Sequence, residues 1–224
     1  DLVDGERARL AAQHLVDNIK KRDWHLSTGF IGTKDLMLAL AKIGRDDVAY
    51  RLIFQDTFPS WGFSIKQGAT SIWERWDGWT PQNGLQDPSM NSFAHYSFGA
   101  VYQWMVENIG GIRTDGPAYK HIIIAPQMSP KLTNATTCYD SIRGPIRTTW
   151  KRVENRLVLD ATIPANTTAT VYLLLNSKMK DPQITESGTP IDQAQDVKLL
   201  RTENNRAVLE IGSGSYHFEV ENRP

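Results

Sequence analysis

Cysteine is nearly absent: Cys138 stands alone among 224 residues, which excludes an intrachain disulfide and any multi-cysteine metal site. Net charge is also lacking. Lys plus Arg and Asp plus Glu both number 25, so no overall field draws the chain to nucleic acid or to an anionic membrane. No apolar run reaches the roughly 18 residues that a membrane-crossing helix needs. The histidines at 14, 25, 95, 121 and 217 are dispersed, and neither a His-Glu-x-x-His pair nor a carboxylate-rich loop gives a metal ion support. Neither Gly-x-Gly-x-x-Gly nor a P-loop occurs, which argues against a nucleotide cofactor. The chain opens at Asp1 without a methionine, a basic flank or an apolar leader, so no signal peptide is expected in this segment, and the segment itself is expected to be cut from a longer protein. What these absences leave is a neutral ligand, and a sugar fits that balance.

The length allows one large or two ordinary domains, and the patterning divides near residue 112. Before it the signal is helical. Residues 6–20 place Ala8, Leu10, Ala11, Leu15, Val16 and Ile19 on one stripe, with Lys20, Lys21 and Arg22 favouring the C-terminal end. A shaped loop is expected over 23–33, a second helix from Lys34 to Ile43 ending at Gly44, and a third from Asp46 or Asp47 to Phe58, closed by Pro59. Residues 81–88 read as a loop. Ser89 to Asn91 offer N-cap chemistry for a long helix to Ile109, stopped by Gly110-Gly111.

After residue 112 the period becomes two. Short runs at 121–125, 138–142, 145–153, 156–163, 168–175, 197–202, 207–211 and 215–220 are separated by Gly, Pro and Asn turn signals. Hairpin turns are expected at Arg143-Gly144-Pro145 and Glu154-Asn155. The reading is therefore a multi-domain α and β chain, all-α over 1–111 and an antiparallel sandwich over 112–224.

The chemistry is concentrated in Gly68 to Trp79. Three of the seven tryptophans fall here, Trp73, Trp76 and Trp79, interleaved with Glu74, Arg75 and Asp77 and followed by an Asp77-Gly78 turn signal. Pyranose C–H faces pack on indole, hydroxyls need polar or charged partners, and cleaving a glycosidic bond needs carboxyl groups. The competing reading makes the tryptophans core residues, with Glu74 paired to Arg75 or to a helix end. Asp77 is the second candidate carboxylate, set against a plain role in the turn. His95, read on the long helix with Ser92 and Gly99 one turn away on either side, faces little side-chain bulk, so a ligand can approach it. The alternative is a structural histidine hydrogen-bonded in a helix interface. Trp61 is a further candidate pocket wall, whereas Trp104, in the apolar period with Val101 and Met105, reads as core.

Four segments in order carry a family resemblance: Trp24-His25-Leu26-Ser27-Thr28-Gly29-Phe30-Ile31-Gly32-Thr33; Ala49-Tyr50-Arg51-Leu52 with Phe58-Pro59-Ser60-Trp61-Gly62; Gly68 to Gly78; and Asn91-Ser92-Phe93-Ala94-His95-Tyr96-Ser97-Phe98-Gly99-Ala100-Val101. Together they resemble the C-terminal part of bacterial α-L-rhamnosidases of glycoside hydrolase family 78. The resemblance implies part of an (α/α)6 catalytic barrel over 1–111 followed by a C-terminal β-sandwich over 112–224. It implies inverting hydrolysis of terminal α-L-rhamnosyl linkages without a cofactor. Glu74 matches the family's general base, and the general acid would lie upstream of Asp1, so that this chain by itself would not turn over. Trp73, Arg75, Trp76, Asp77, Trp79, His95 and His25 are expected around the sugar. Another (α/α)6 carbohydrate enzyme, or a carbohydrate-binding module without catalysis, are the alternatives.

Overall fold

A computed structural model describes residues 4–154, 156–175 and 182–221. The chain divides into two compact units, Asp1–Trp104 and Met105–Pro224. In the first, helix α1 (Gly5–Lys21) buries Val16 and Ile19 and carries Lys20 and Lys21 in its last turn, where they complement the dipole. The N-terminal half of its expected stripe stays open, with Leu10 exposed.

Helix α2 spans Phe30–Lys42 and buries Thr33, Leu36, Met37 and Leu40. It begins four residues before the expected Lys34. Its N-cap is Gly29, which has no side chain to announce a helix start, and the first turn is instead steadied by the Thr33 hydroxyl on the Gly29 carbonyl at 2.9 Å. Helix α3 (Asp46–Ile53) has Asp46 and Asp47 in its first turn and buries Val48, Ala49, Tyr50 and Leu52. It stops short of the expected Phe58. A new helix, α4 (Trp61–Lys66), follows, capped by Ser60, whose Oγ accepts the Phe63 N–H at 3.0 Å.

The expected long helix from residue 89 does not form. After β1 (Trp79–Thr80) pairs with β2 (Gly84–Leu85), the chain stays irregular until a 3-10 turn at Tyr96–Ala100, which leads into the short α5 (Val101–Trp104). Polar side chains here bond the chain locally instead. Asp87 Oδ1 accepts both the N–H and the hydroxyl of Ser89, and Ser92 Oγ accepts the Ala94 N–H at 3.2 Å. Such local bonds offer the backbone an alternative to the helical ladder. Trp104 is fully buried, edge-on to Tyr50 with ring centroids 5.2 Å apart, in keeping with a core role.

The second unit opens with a π-helical turn at Met105–Ile109 and ends it at Gly110-Gly111, with Gly111 in the left-handed region at φ 76. Its strands are β3 (Ile112–Asp115), β4 (His121–Ile124), β5 (Asn134–Ser141), β6 (Gly144–Val153), β7 (Arg156–Ile163), β8 (Thr168–Leu174), β9 (Gln183–Glu186), β10 (Thr189–Pro190), β11 (Val197–Glu203), β12 (Arg206–Ile211) and β13 (Gly214–Glu221). Two sheets form, ordered β10-β9-β13-β7-β6-β5 and β11-β12-β8-β4-β3.

Period-two burial is clear in β6, where Ile146, Thr148 and Trp150 point inward, and in β7, where Leu157, Leu159, Ala161 and Ile163 do. Of these, Ile146, Trp150, Leu157, Leu159 and Ile163 fill one core between the sheets with Ile122, Ile124, Val171, Leu173, Leu209 and Phe218. The pairing is antiparallel, as expected, with one parallel pair, β4 and β8, from His121↔Thr168 to Ile124↔Val171. Strands β3, β9 and β10 carry too few residues for a period to be read. Val153 pairs with Arg156, which leaves a two-residue hairpin loop starting at Glu154 (φ 51); Asn155 lies outside the described residues. The other hairpin turns one residue earlier than expected, at Ile142-Arg143, because Ser141 already pairs with Gly144.

Candidate functional site

Two irregular stretches of the first unit, 71–78 and 91–95, are stitched together mainly by main-chain bonds. Glu74 N–H donates to the Ser92 carbonyl at 2.8 Å, and His95 N–H donates to the Ile72 carbonyl at 2.9 Å. The Ser71 hydroxyl donates to the Phe93 carbonyl. At the far end the Asn91 amide donates to the carbonyls of Gly78, at 2.6 Å, and Gln86, at 3.3 Å.

Glu74 sits inside this ladder, half-buried. Its Oε2 accepts the Ser92 backbone N–H at 2.8 Å, the mirror of the bond its own N–H makes to the same residue. Among the described residues no hydrogen bond takes up Oε1. The carboxylate is thus fixed through one oxygen and open at the other. Arg75 does not pair with it: its Nε meets Asp77 Oδ1 at 3.3 Å, both side chains about one-third exposed. Asp77 therefore serves the 75–78 turn, which Gly78 N–H closes on the Arg75 carbonyl at 3.3 Å.

The flanking indoles are built into the wall. Trp73 and Trp76 are buried, the first edge-on to Phe93 and the second stacked on Phe98 at 3.6 Å between ring centroids. Trp76 Nε1–H donates to the Thr28 carbonyl at 3.1 Å, and its own carbonyl accepts the Ser64 hydroxyl at 3.0 Å. Trp61 lies edge-on to Trp76 and donates from Nε1 to the Phe98 carbonyl. Trp61, Ser64, Ile72, Trp73, Trp76 and Phe98 border a largely apolar cavity of about 320 Å³. Glu74, Arg75, Asp77, Trp79, His25 and His95 do not line it. Trp79 stands at the start of the small hairpin, partly exposed.

His95 is not on a helix. It occupies the extended position ahead of the 3-10 turn, at φ −113 and ψ 110, so the small-residue face argued from helical spacing does not exist. Its ring is instead stacked on Tyr96, which is 83% exposed, and tilted against Phe30 at 4.6 Å. Its Nδ1 is buried without a hydrogen-bond partner among the described residues. His25 is committed to protein on both sides. Nδ1 lies 3.0 Å from the Arg22 carbonyl and so carries the proton, while Nε2 accepts from the Thr57 hydroxyl at 2.7 Å. It ties the loop before α2 to the loop after α3.

Asn91, Ser92, Phe93 and Phe98 are part of the arrangement; from the sequence Asn91 reads only as N-cap chemistry, Ser92 only as a small neighbour of His95, and the two phenylalanines have no role. Their only signal was position within the Asn91 to Val101 segment, because a main-chain contact 18 residues away from Glu74 leaves no spacing to read.

Residues 1–109 match the model of the bacterial alpha-L-rhamnosidase 6 hairpin glycosidase domain, and residues 111–187 that of the bacterial alpha-L-rhamnosidase C-terminal domain. An alpha-L-rhamnosidase of Streptomyces avermitilis is 40% identical over 225 residues, covering 98% of this chain and 20% of that protein. One from Formosa agariphila is 35% identical over 220 residues, covering 98% of this chain and 23% of its own length. The crystal structure of the Streptomyces avermitilis alpha-L-rhamnosidase complexed with L-rhamnose superimposes with a TM-score of 0.84 at 40% identity, over 94% of this chain and 19% of that one. The chain thus spans about one-fifth of the length of the relatives it matches.

Proposed function

This chain belongs to the bacterial α-L-rhamnosidase family, and we propose that it contributes Glu74 as the general base of an inverting hydrolysis of terminal α-L-rhamnosides. The observation that carries the reading is the held and half-open carboxylate: Oε2 bound by the Ser92 N–H at 2.8 Å, with Oε1 left for water. In such a step Oε1 takes a proton from water as the water oxygen bonds to the anomeric carbon. The bond from that carbon to the leaving oxygen breaks on the opposite face, and the leaving oxygen takes a proton from a second carboxyl. The product is the β-anomer.

Inverting pairs stand roughly 6.5 to 9.5 Å apart to admit that water. Within the first unit Asp77 is engaged by Arg75 and Asp87 by Ser89, which supports an acid supplied from outside this chain. His95 and Arg75 are the polar groups proposed to meet hydroxyls.

The test is Glu74→Gln in the full-length protein, assayed on an aryl α-L-rhamnoside. The amide can still accept the Ser92 N–H but cannot take water's proton. Turnover is expected to fall about 10²- to 10⁴-fold while L-rhamnose binding persists, and the parent should release the β-anomer first. Hydrolysis near the parental rate would remove Glu74 from the role and move it to Asp77.

A further inference from the structure

We infer that Asn91 is a positioning residue for Glu74: its amide anchors the strand-like segment whose next residue, Ser92, holds the carboxylate. The inference rests on Glu74 being the base. Asn91 Nδ2 spends its two hydrogens on the carbonyls of Gly78 and Gln86, at 2.6 and 3.3 Å. Gly78 O also accepts the Gln86 N–H at 3.1 Å, so three groups meet at one point. That point closes the excursion from Gly78 through β1 and β2 and returns the chain beside Glu74.

One peptide bond separates Asn91 from the N–H that points at Glu74 Oε2, and the same Ser92 carbonyl accepts from Glu74 N–H. The direction of that N–H is therefore set by where Asn91 is held. The residue type follows from the chemistry. Two carbonyls converge on the side chain, so it must offer two donors from one planar atom, which an amide does and an isosteric carboxylate does not. Packing closes the remaining freedom: a Cβ added at Gly78 would lie 2.9 Å from Asn91 Oδ1, so the amide is already against the backbone it binds.

Asn91 touches no reacting atom in this arrangement, so its effect should pass through the base alone. Loosening the Ser92 N–H should misplace the base.

The experiment uses the full-length protein with Asn91→Ala and Glu74→Gln in parallel on an aryl α-L-rhamnoside, with kcat and KM read per folded molecule. Asn91→Ala is expected to lower kcat about ten- to a hundredfold and to leave KM within about twofold. A residue that merely supports the fold would lower the folded fraction and leave kcat per folded molecule at the parental value. Should Asn91→Ala be recovered unfolded, Asn91→Asp keeps the size, loses the donors and is read the same way. Parental kcat per folded molecule, with Glu74→Gln inactive, would overturn the inference while sparing the assignment of the base. An active Glu74→Gln would overturn the assignment and the inference with it.

Discussion

Replacing Gly78 with alanine tests whether the ladder around Glu74 is as tight as its geometry implies. Gly78 follows the turn that Asp77 and Arg75 build, and its carbonyl is the acceptor for both Asn91 and Gln86. A Cβ there meets Asn91 Oδ1 at 2.9 Å, Trp73 Cε3 at 3.2 Å and Phe93 Cε1 at 3.5 Å. The first distance is too short to be tolerated. Asn91 cannot retreat without stretching its 2.6 Å bond, and Trp73 is held edge-on against Phe93. Relief thus comes either from breaking the Asn91 clamp or from shifting the backbone. Overpacking of this kind costs about 1–3 kcal/mol, and losing the clamp adds about 1 kcal/mol for a net hydrogen bond. Gly29→Ala is the control: it too lies in the first unit beside a helix start, its φ of −79 suits any residue, and nothing stands within 4 Å of the added carbon. In the full-length protein, thermal unfolding and hydrolysis of an aryl α-L-rhamnoside should separate the two, with Gly78→Ala lower in both and Gly29→Ala near the parent. Equal values for the two variants would refute the claim that Gly78 and Asn91 are locked together.

The β-unit offers two further tests. Trp150 is fully buried and donates from Nε1 to the Ile109 carbonyl at 2.7 Å; Trp150→Phe strands that carbonyl and should cost about 1–3 kcal/mol in chemical denaturation, a loss absent if the bond contributes nothing. The His217 imidazole is raised above its ordinary range chiefly by its hydrogen bond to Asp160 at 2.6 Å, with burial opposing and Glu219 assisting. A raised folded value means that its contribution is full below the unfolded value of about 6.5 and is lost as pH rises through the folded one. The denaturation midpoint should therefore decline over that window, by a small amount because the ring is 44% exposed, and Asp160→Asn should flatten the decline.

The parts of the fold legible in the sequence are those whose burial repeats. Strands β6 and β7 alternate over eight residues or more, and that period fixes both their existence and their inward faces. Helix α1 reads correctly for the same reason. Misreadings arise where one side chain can serve two purposes. Ser89, Asn91 and Ser92 have the residue types of an N-cap, but Ser89 spends its hydroxyl on the Asp87 carboxylate, Ser92 Oγ accepts the Ala94 N–H and the Asn91 amide donates to Gly78, none of them at a helix start. Helix α2 shows the converse. Gly29 caps it without a side-chain signal, so the start is invisible to a reading that looks for Ser, Thr, Asp or Asn.

The candidate site divides along the same line. Glu74 among Trp73, Arg75 and Trp76 stands out because residue types with sugar chemistry are adjacent in the chain. Its restraint does not, because the partner is a main-chain N–H. Any residue except proline brings that N–H to position 92, so the identity of Ser92 says almost nothing about the bond it makes to Glu74. What must be specified is the path of the backbone, and that falls to the few side chains that bind backbone: Ser71 on Phe93, Trp76 on Thr28, Ser64 on Trp76 and Asn91 on Gly78 and Gln86. Four side chains aimed at carbonyls thus hold one carboxylate that only one of their neighbours touches. A reading that ranks residues by chemistry alone selects Glu74, Trp76 and His95 and passes over Ser64, Ser71 and Asn91.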